Sequence, residues 1–273
     1  MFSNYNNEVE LVINLSDLLR NIQEPVPMQT LPLFHSTRRS ALPKMLLTGH
    51  IEAQEADEYF QEFLVFFFYG RARYIPEDEL EDEFDPTDPP IVLVYDMEQL
   101  EIFPKRFVAF DSGGYGRLNI PLPLHEFAIS MLTQGEELKK FIQRIYSENS
   151  NYLNKKITID HHDYPLCSAL EKLAALYNRL RERTSKPFGE QAYTVEIHYE
   201  RKVPLAPVAV ILPASMVSTP SGRQQVLAAF RFTEKQFEER VHGYDEMGET
   251  KFRMYSNILD IANSIVQKMD RNI

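Results

Sequence analysis

Three side chains with usable chemistry stand in or at the ends of apolar runs. His35 closes LPLFH (31–35), Tyr69 closes FLVFFFY (63–69), and Glu196 sits inside AYTVEIHY (192–199). An imidazole can hydrogen-bond a sugar hydroxyl, and a phenol offers a flat face to a ring. A carboxylate inside an apolar strand must face water, a partner or a cleft, because burying it unpaired is costly. Each also has a plainer reading. His35 can be hydrogen-bonded structure and Tyr69 core or rim packing. Glu196 can belong to an exposed strand face with Thr194, His198 and Glu200, since side chains alternate along a strand. Hydroxyls follow the imidazole directly, at Ser36 and Thr37. Arg71, Arg73 and Tyr74 follow Tyr69 in GRARY.

Other clusters carry weaker signals. DSGGYGR (111–117) could cradle a phosphate on backbone N–H groups, but it is neither GxGxxG nor a Walker loop, and a tight turn explains its glycines. Asp160-His161-His162-Asp163 has metal-ligand residue types. Neighbours on a strand point oppositely, so about two at most could reach one ion, and Asp163 serves equally as a helix N-cap. The acidic segment 77–88 lacks the glycine and spacing of a calcium loop and reads as solvated and mobile.

The elements that must position these groups follow from apolar spacing. Strands are expected over 31–35, 63–69, 91–96, 106–111, 192–199 and 208–213. ALPKMLLTG (41–49) predicts a two-turn helix with Ser40 as N-cap and Gly49 as its stop. Residues 55–62 read as a polar helix. From Leu124 to Asn149, and again from about 165 to 184, the pattern is helical, which makes 124–184 a helical insertion. Thr233-x-x-Gln236 is a capping box. Tyr255, Ile258, Leu259, Ala262, Ile265, Val266 and Met269 define an amphipathic C-terminal helix over 249–273. Strands and helices mix without regular βαβ alternation. The expected class is therefore α+β, a single domain over 1–273 with an acidic loop at 77–90.

Composition narrows the function classes. The 273 residues carry 29 Lys plus Arg against 40 Asp plus Glu, a net charge of −11, which argues against sequence-independent nucleic-acid binding. No apolar run suits a membrane span, and MFSNYNNEVELVINL does not resemble a signal peptide. The single cysteine, Cys167, excludes an intrachain disulfide and fits a reducing compartment such as the cytoplasm.

Taken in order, the first three segments resemble ADP-ribosyltransferases of the diphtheria-toxin type. Leu33-Phe34-His35-Ser36-Thr37 followed by ALPKMLLTG is similar to that family's first motif, a strand-end His, a nearby hydroxyl and a short helix closed by Gly. FFFYGRARY resembles its second region, with the Arg seen in the DNA-targeting toxin branch. AYTVEIHYERKVPLAPVAVILP resembles its last, the strand bearing the catalytic Glu. The resemblance implies a mixed or antiparallel split sheet with the site in a cleft between two strand sets. It implies His35, Tyr69 and Glu196 as catalytic residues, and Ser36, Thr37, Arg71, Arg73 and Tyr74 as contacts to NAD, which is substrate; no metal is expected. It further implies a toxin or defence effector held by a protein partner or inhibitor. The competing reading is a non-catalytic interaction module, docking or oligomerising through the acidic loop and the C-terminal helix. A metal-dependent phosphohydrolase using 160–163 is a third.

Overall fold

The structure is a computed structural model and describes residues 14–20, 28–72, 87–115, 122–133, 135–159, 167–182, 194–246 and 251–270. Its frame is a sheet of eight strands in the order β10-β9-β4-β1-β3-β7-β5-β6. In chain order these are β1 (Leu33–Arg38), β3 (Leu64–Tyr69), β4 (Pro90–Tyr95), β5 (Arg106–Val108), β6 (Ala128–Ser130), β7 (Glu196–Glu200), β9 (Ala209–Pro213) and β10 (Val241–Tyr244). Every pairing is antiparallel except β9 with β10, which is parallel. β2 (His50–Glu52) and β8 (Lys202–Pro204) form a separate antiparallel pair. The class is α+β, as the order of elements predicts.

The two halves of the large sheet meet weakly. β1 registers with β4 along its whole length, from Leu33↔Tyr95 to Arg38↔Pro90. β3 registers with β7 from Leu64↔Glu200 to Phe68↔Glu196. β1 and β3 pair only at Leu33↔Tyr69 and Phe34↔Phe68. Beyond that point the ladder stops, and the sheet forks into β10-β9-β4-β1 and β3-β7-β5-β6. The stop has a local cause. The Phe66 carbonyl accepts a hydrogen bond at 2.9 Å from Nδ1 of His35, and that ring stands against Phe67 with centroids 5.3 Å apart. A side chain thus occupies an acceptor that the β1–β3 ladder would otherwise use.

One face of the β3-β7-β5-β6 half is closed by an aromatic bank. It comes from α3 (Glu136–Tyr146), α4 (Asn149–Leu153) and α5 (Ser168–Glu182). Phe141 packs on Phe107, Tyr152 on Tyr69, and Tyr146 on both Tyr152 and Tyr177. The Tyr152 hydroxyl donates to the Tyr69 carbonyl at 2.8 Å and accepts the Val195 N–H at 3.1 Å, so it staples the end of β3 to the approach to β7. Gly70 follows with φ 66°, its N–H bonded to the Pro32 carbonyl at 2.8 Å. A Cβ there would lie 2.7 Å from Cδ1 of Leu31, so both the turn and the close approach require glycine.

Several expectations change. β1 does not end at His35 but runs to Arg38. α2 (Leu42–Thr48) is capped at Ala41 rather than Ser40, whose side chain instead holds Asp88; its Gly49 stop has φ 70° as expected. Residues 57–60 form a turn, not a helix, tied by Asp57 to the N–H groups of Tyr59 and Phe60. Leu124–Phe127 is a short 3-10 turn leading into β6, so the 124–184 insertion also supplies the edge strand of the sheet. The Thr233 capping box is present as predicted. The C-terminal helix, with α1 (Leu15–Arg20), α2–α5, α6 (Ala214–Val217), α7 (Pro220–Phe230) and α8 (Glu234–Arg240) before it, is α9 (Lys251–Asp270). It buries Met254, Ile258, Ala262, Ile265 and Val266 inside this chain, contacting β9 and β10. The stripe expected to drive oligomerisation is therefore already covered, at roughly 1.5–3 kcal/mol for each large apolar side chain. Among the described residues no helix is long and apolar enough to cross a membrane.

Candidate functional site

The three strands bearing His35, Tyr69 and Glu196 do lie side by side, as β1, β3 and β7. Their side chains do not converge. Residues directly opposite one another across a ladder share a face, and neighbours in one strand do not. Leu33↔Tyr69 places Tyr69 with the odd-numbered residues of β1, including His35. Phe34↔Phe68 and Phe68↔Glu196 place Glu196 on the opposite face. The sheet thus stands between the imidazole and phenol on one side and the carboxylate on the other.

The residues on the Tyr69 face serve the fold. Tyr69 is 0% exposed, and its hydroxyl accepts the Leu31 N–H at 3.0 Å. Burial pushes its pKa well up, which keeps the phenol neutral. His35 is held by the Phe66 carbonyl, and burial lowers its pKa although that bond opposes the shift. Thr37 shares this face by alternation. Arg71 does not await a pyrophosphate. Its guanidinium donates to the carbonyls of Tyr152 (2.7 Å) and Leu153 and lies 5.3 Å from the centroid of the Tyr152 ring. It therefore neutralises the last carbonyls of α4. Arg73 and Tyr74 lie outside the described residues, as do Asp160 to Asp163 and the acidic run through residue 86. Among the described residues no group of three or more His, Cys, Asp or Glu is placed to hold a metal.

The Glu196 face holds a different assembly. Glu196 is 2% exposed, not part of a solvated strand face. The Ser112 hydroxyl donates to its Oε1 at 2.5 Å, and Nε2 of His198 lies 2.5 Å from the same oxygen. Ser112 and His198 are 2% and 0% exposed. The His198 ring is flanked edge-on by Phe60 and Phe66, with centroids 5.2 and 5.0 Å away. Its pKa is pushed down to about 3, first by burial and then by the Arg106 charge on the neighbouring strand. Burial and that charge both favour the neutral ring. Arg106 stacks over Phe60 at 4.4 Å and, with Lys105 at 2.9 Å, pairs with Glu62. Burial would raise the Glu62 pKa, but those two cations hold it below the usual carboxylate range.

Between this cluster and β1 lies an aromatic floor. Phe66 and Phe68 project on the Glu196 face and are half-buried, whereas Leu64, Val65 and Phe67 of the same strand are buried. Phe68 stands directly beside Glu196, and Phe66 directly beside His198. Across the fork, Ser36 shares that face. Its Oγ is buried and has no hydrogen-bond partner among the described residues, and the same is true of Nδ1 of His198. The face therefore places a buried carboxylate beside two half-buried ring surfaces, with two buried polar atoms that have no partner among the described residues.

Of the residues expected at the site, Glu196 and Ser36 are brought to one side. His35, Tyr69 and Thr37 are on the other. Missed by the sequence reading were Ser112, His198 as a partner of Glu196, and the Phe66–Phe68 floor. The available signal was the alternation in EIHY and FFFY, which already separates Phe68 from Tyr69. Comparison with known proteins adds nothing to this geometry: no family model, no curated protein and no solved structure matches the chain.

Proposed function

We propose that this chain cleaves the nicotinamide–ribose bond of NAD and passes ADP-ribose to an acceptor or to water, with Glu196 as the catalytic carboxylate. The observation that carries the reading is Glu196 itself. It is a buried acid whose one oxygen accepts the Ser112 hydroxyl and lies against Nε2 of His198, beside two half-buried phenylalanine rings and next to a fork in the sheet. A buried carboxyl group is costly, and such costs are concentrated at sites.

The chemistry follows from the charge. Departure of nicotinamide leaves a ribosyl centre that is oxocarbenium-like, as in glycoside hydrolysis. A carboxylate fixed beside that centre stabilises the developing positive charge without reorganising. The same group can accept a hydrogen bond from the ribose 2′-hydroxyl or act as a general base on the acceptor. Phe68 and Phe66 supply the flat surface for the nicotinamide ring that Tyr69 cannot, because Tyr69 lies on the opposite face of the sheet from Glu196. Ser36 Oγ has the capacity to bond a ribose hydroxyl or the carboxamide. Free turnover of NAD would harm a host cell, so a cytoplasmic enzyme of this kind needs a protein inhibitor or a trigger. The interaction-module reading has lost its apolar contact element, because α9 is packed inside the chain.

The test is direct. Purified protein incubated with NAD is expected to release nicotinamide, and Glu196→Gln is expected to lower the rate at least about a hundredfold. Release at background level, or equal release by the Gln variant, would sink the reading.

A further inference from the structure

Ser112 arrives at Glu196 from 84 positions upstream, on a turn rather than a strand. That turn is built to hold one shape. Asp111, 4% exposed, caps it by accepting the Gly113 N–H at 3.0 Å. Through three buried polar side chains, Asp111, Ser112 and Glu196, this turn is tied to the first residue of β7. Packing alone does not call for this arrangement, since an apolar side chain at 112 would close the same space without burying a hydroxyl.

We infer that Ser112 is a positioning residue for Glu196: its hydroxyl, together with the His198 imidazole, donates to Oε1 and so fixes the plane and the charge of the carboxylate. This rests on the NAD-cleaving reading above. A neutral His198 carries one ring proton. With that proton on Nε2 and shared with Glu196, Nδ1 is a bare lone pair, which matches its lack of a partner among the described residues. The opposite tautomer would bury an unsatisfied N–H, the costlier of the two orphans. The tautomer of His198 thus reports the state of the carboxyl group. The other titratable or charged groups facing the cluster are Arg106 on β5, Lys105 just before it, Asp57 and Glu62 on the preceding turn, and Asp111 on the turn of Ser112.

The experiment combines ¹⁵N NMR of the His198 ring with the pH profile of nicotinamide release, for wild type, Ser112→Ala and Ser112→Thr. The wild type is expected to show the Nε2–H tautomer at neutral pH. Ser112→Ala is expected to lower kcat about ten- to a hundredfold, the worth of one hydrogen bond to a charged group. KM should stay within about twofold, the pattern of an interaction felt in the transition state. The acid limb should move to higher pH, because a donor to the charged form is lost. Ser112→Thr, which keeps the hydroxyl, should restore both. A wild-type Nδ1–H tautomer, or a Ser112→Ala variant with the wild-type acid limb and kcat, overturns the inference. If Ser112→Ala does not fold, the wild-type spectrum and Ser112→Thr decide it. If the wild type releases no nicotinamide, the NAD reading fails by itself. The positioning bond is then judged by the His198 ring shifts, which must differ between wild type and Ser112→Ala.

Discussion

The two faces of the sheet around β3 solve opposite problems with neighbouring residues. On one, Phe67, Tyr69, Tyr95, Tyr146, Tyr152 and Tyr199 form a buried aromatic mass. Three of its hydroxyls are spent on backbone, Tyr69 on Leu31, Tyr95 on the Pro204 carbonyl and Tyr152 on the ends of β3 and β7, while those of Tyr146 and Tyr199 have no partner among the described residues. On the other, Phe66 and Phe68 stay half-buried, and the polar groups bond to one another around Glu196. The first arrangement spends hydrogen bonds on rigidity. The second keeps a carboxyl group in place beside an aromatic surface. The proposed chemistry uses the second face, and the residue types that first suggest chemistry, His35 and Tyr69, belong to the first.

This contrast can be broken by substitutions on either side. The largest effect is expected on the aromatic face. Tyr69→Ala should cost about 4 kcal/mol in urea unfolding, the loss of a large buried ring, while the folded fraction keeps its kcat. A kcat that falls more than the folded fraction would return Tyr69 to the site. Arg71→Gln should cost about 2 kcal/mol, because buried carbonyls of α4 lose a charged donor, with KM for NAD unchanged. A raised KM without loss of stability would instead give Arg71 to the pyrophosphate.

On the other face, Phe68→Leu should raise KM for NAD about fivefold, an aromatic contact of about 1 kcal/mol, and barely move the melting temperature. A further effect concerns pH. His198 and His35 have folded pKa values below the ordinary value of about 6.5, so the unfolded chain takes up these protons first. Stability from these groups is complete above about pH 6.5 and declines as pH falls toward 3. His198→Gln, which keeps a donor at the Nε2 position, should flatten the slope of unfolding free energy between about pH 6.5 and 4.5. An unchanged slope would mean that His198 is not held neutral.

Much of the architecture could be read from the chain. IVLVYD and VAVILP declare buried strands by continuous apolar character, FLVFFFY declares a strand whose Phe66 and Phe68 are only half-buried, and Gly49 and Thr233 mark helix ends for local reasons. Ala128-Ile129-Ser130 was read as helix because three residues among helix formers carry no period of their own; only pairing with β5 makes them a strand. The strands of His35, Tyr69 and Glu196 are neighbours, but the single site that the resemblance implies for the three side chains is not formed, because Glu196 lies on the opposite face. Alternation separates Phe68 from Tyr69 within one strand, but which of them shares a face with Glu196 was not legible, because that depends on cross-strand register, and a shift of one residue exchanges the faces. Ser112 was not legible either. Nothing near it in sequence announces a partner 84 positions away.

The central claim is that catalysis sits with Glu196 and not with the His35–Tyr69 side of the sheet. The most direct measurement is nicotinamide release from NAD by wild type, Glu196→Gln and Tyr69→Phe, each first shown to be folded by near-UV circular dichroism. The account predicts turnover by the wild type, its loss in Glu196→Gln, and a rate within about twofold of wild type in Tyr69→Phe, which loses only one hydrogen bond to the Leu31 backbone. Turnover that survives in Glu196→Gln, or that vanishes in Tyr69→Phe, would contradict it.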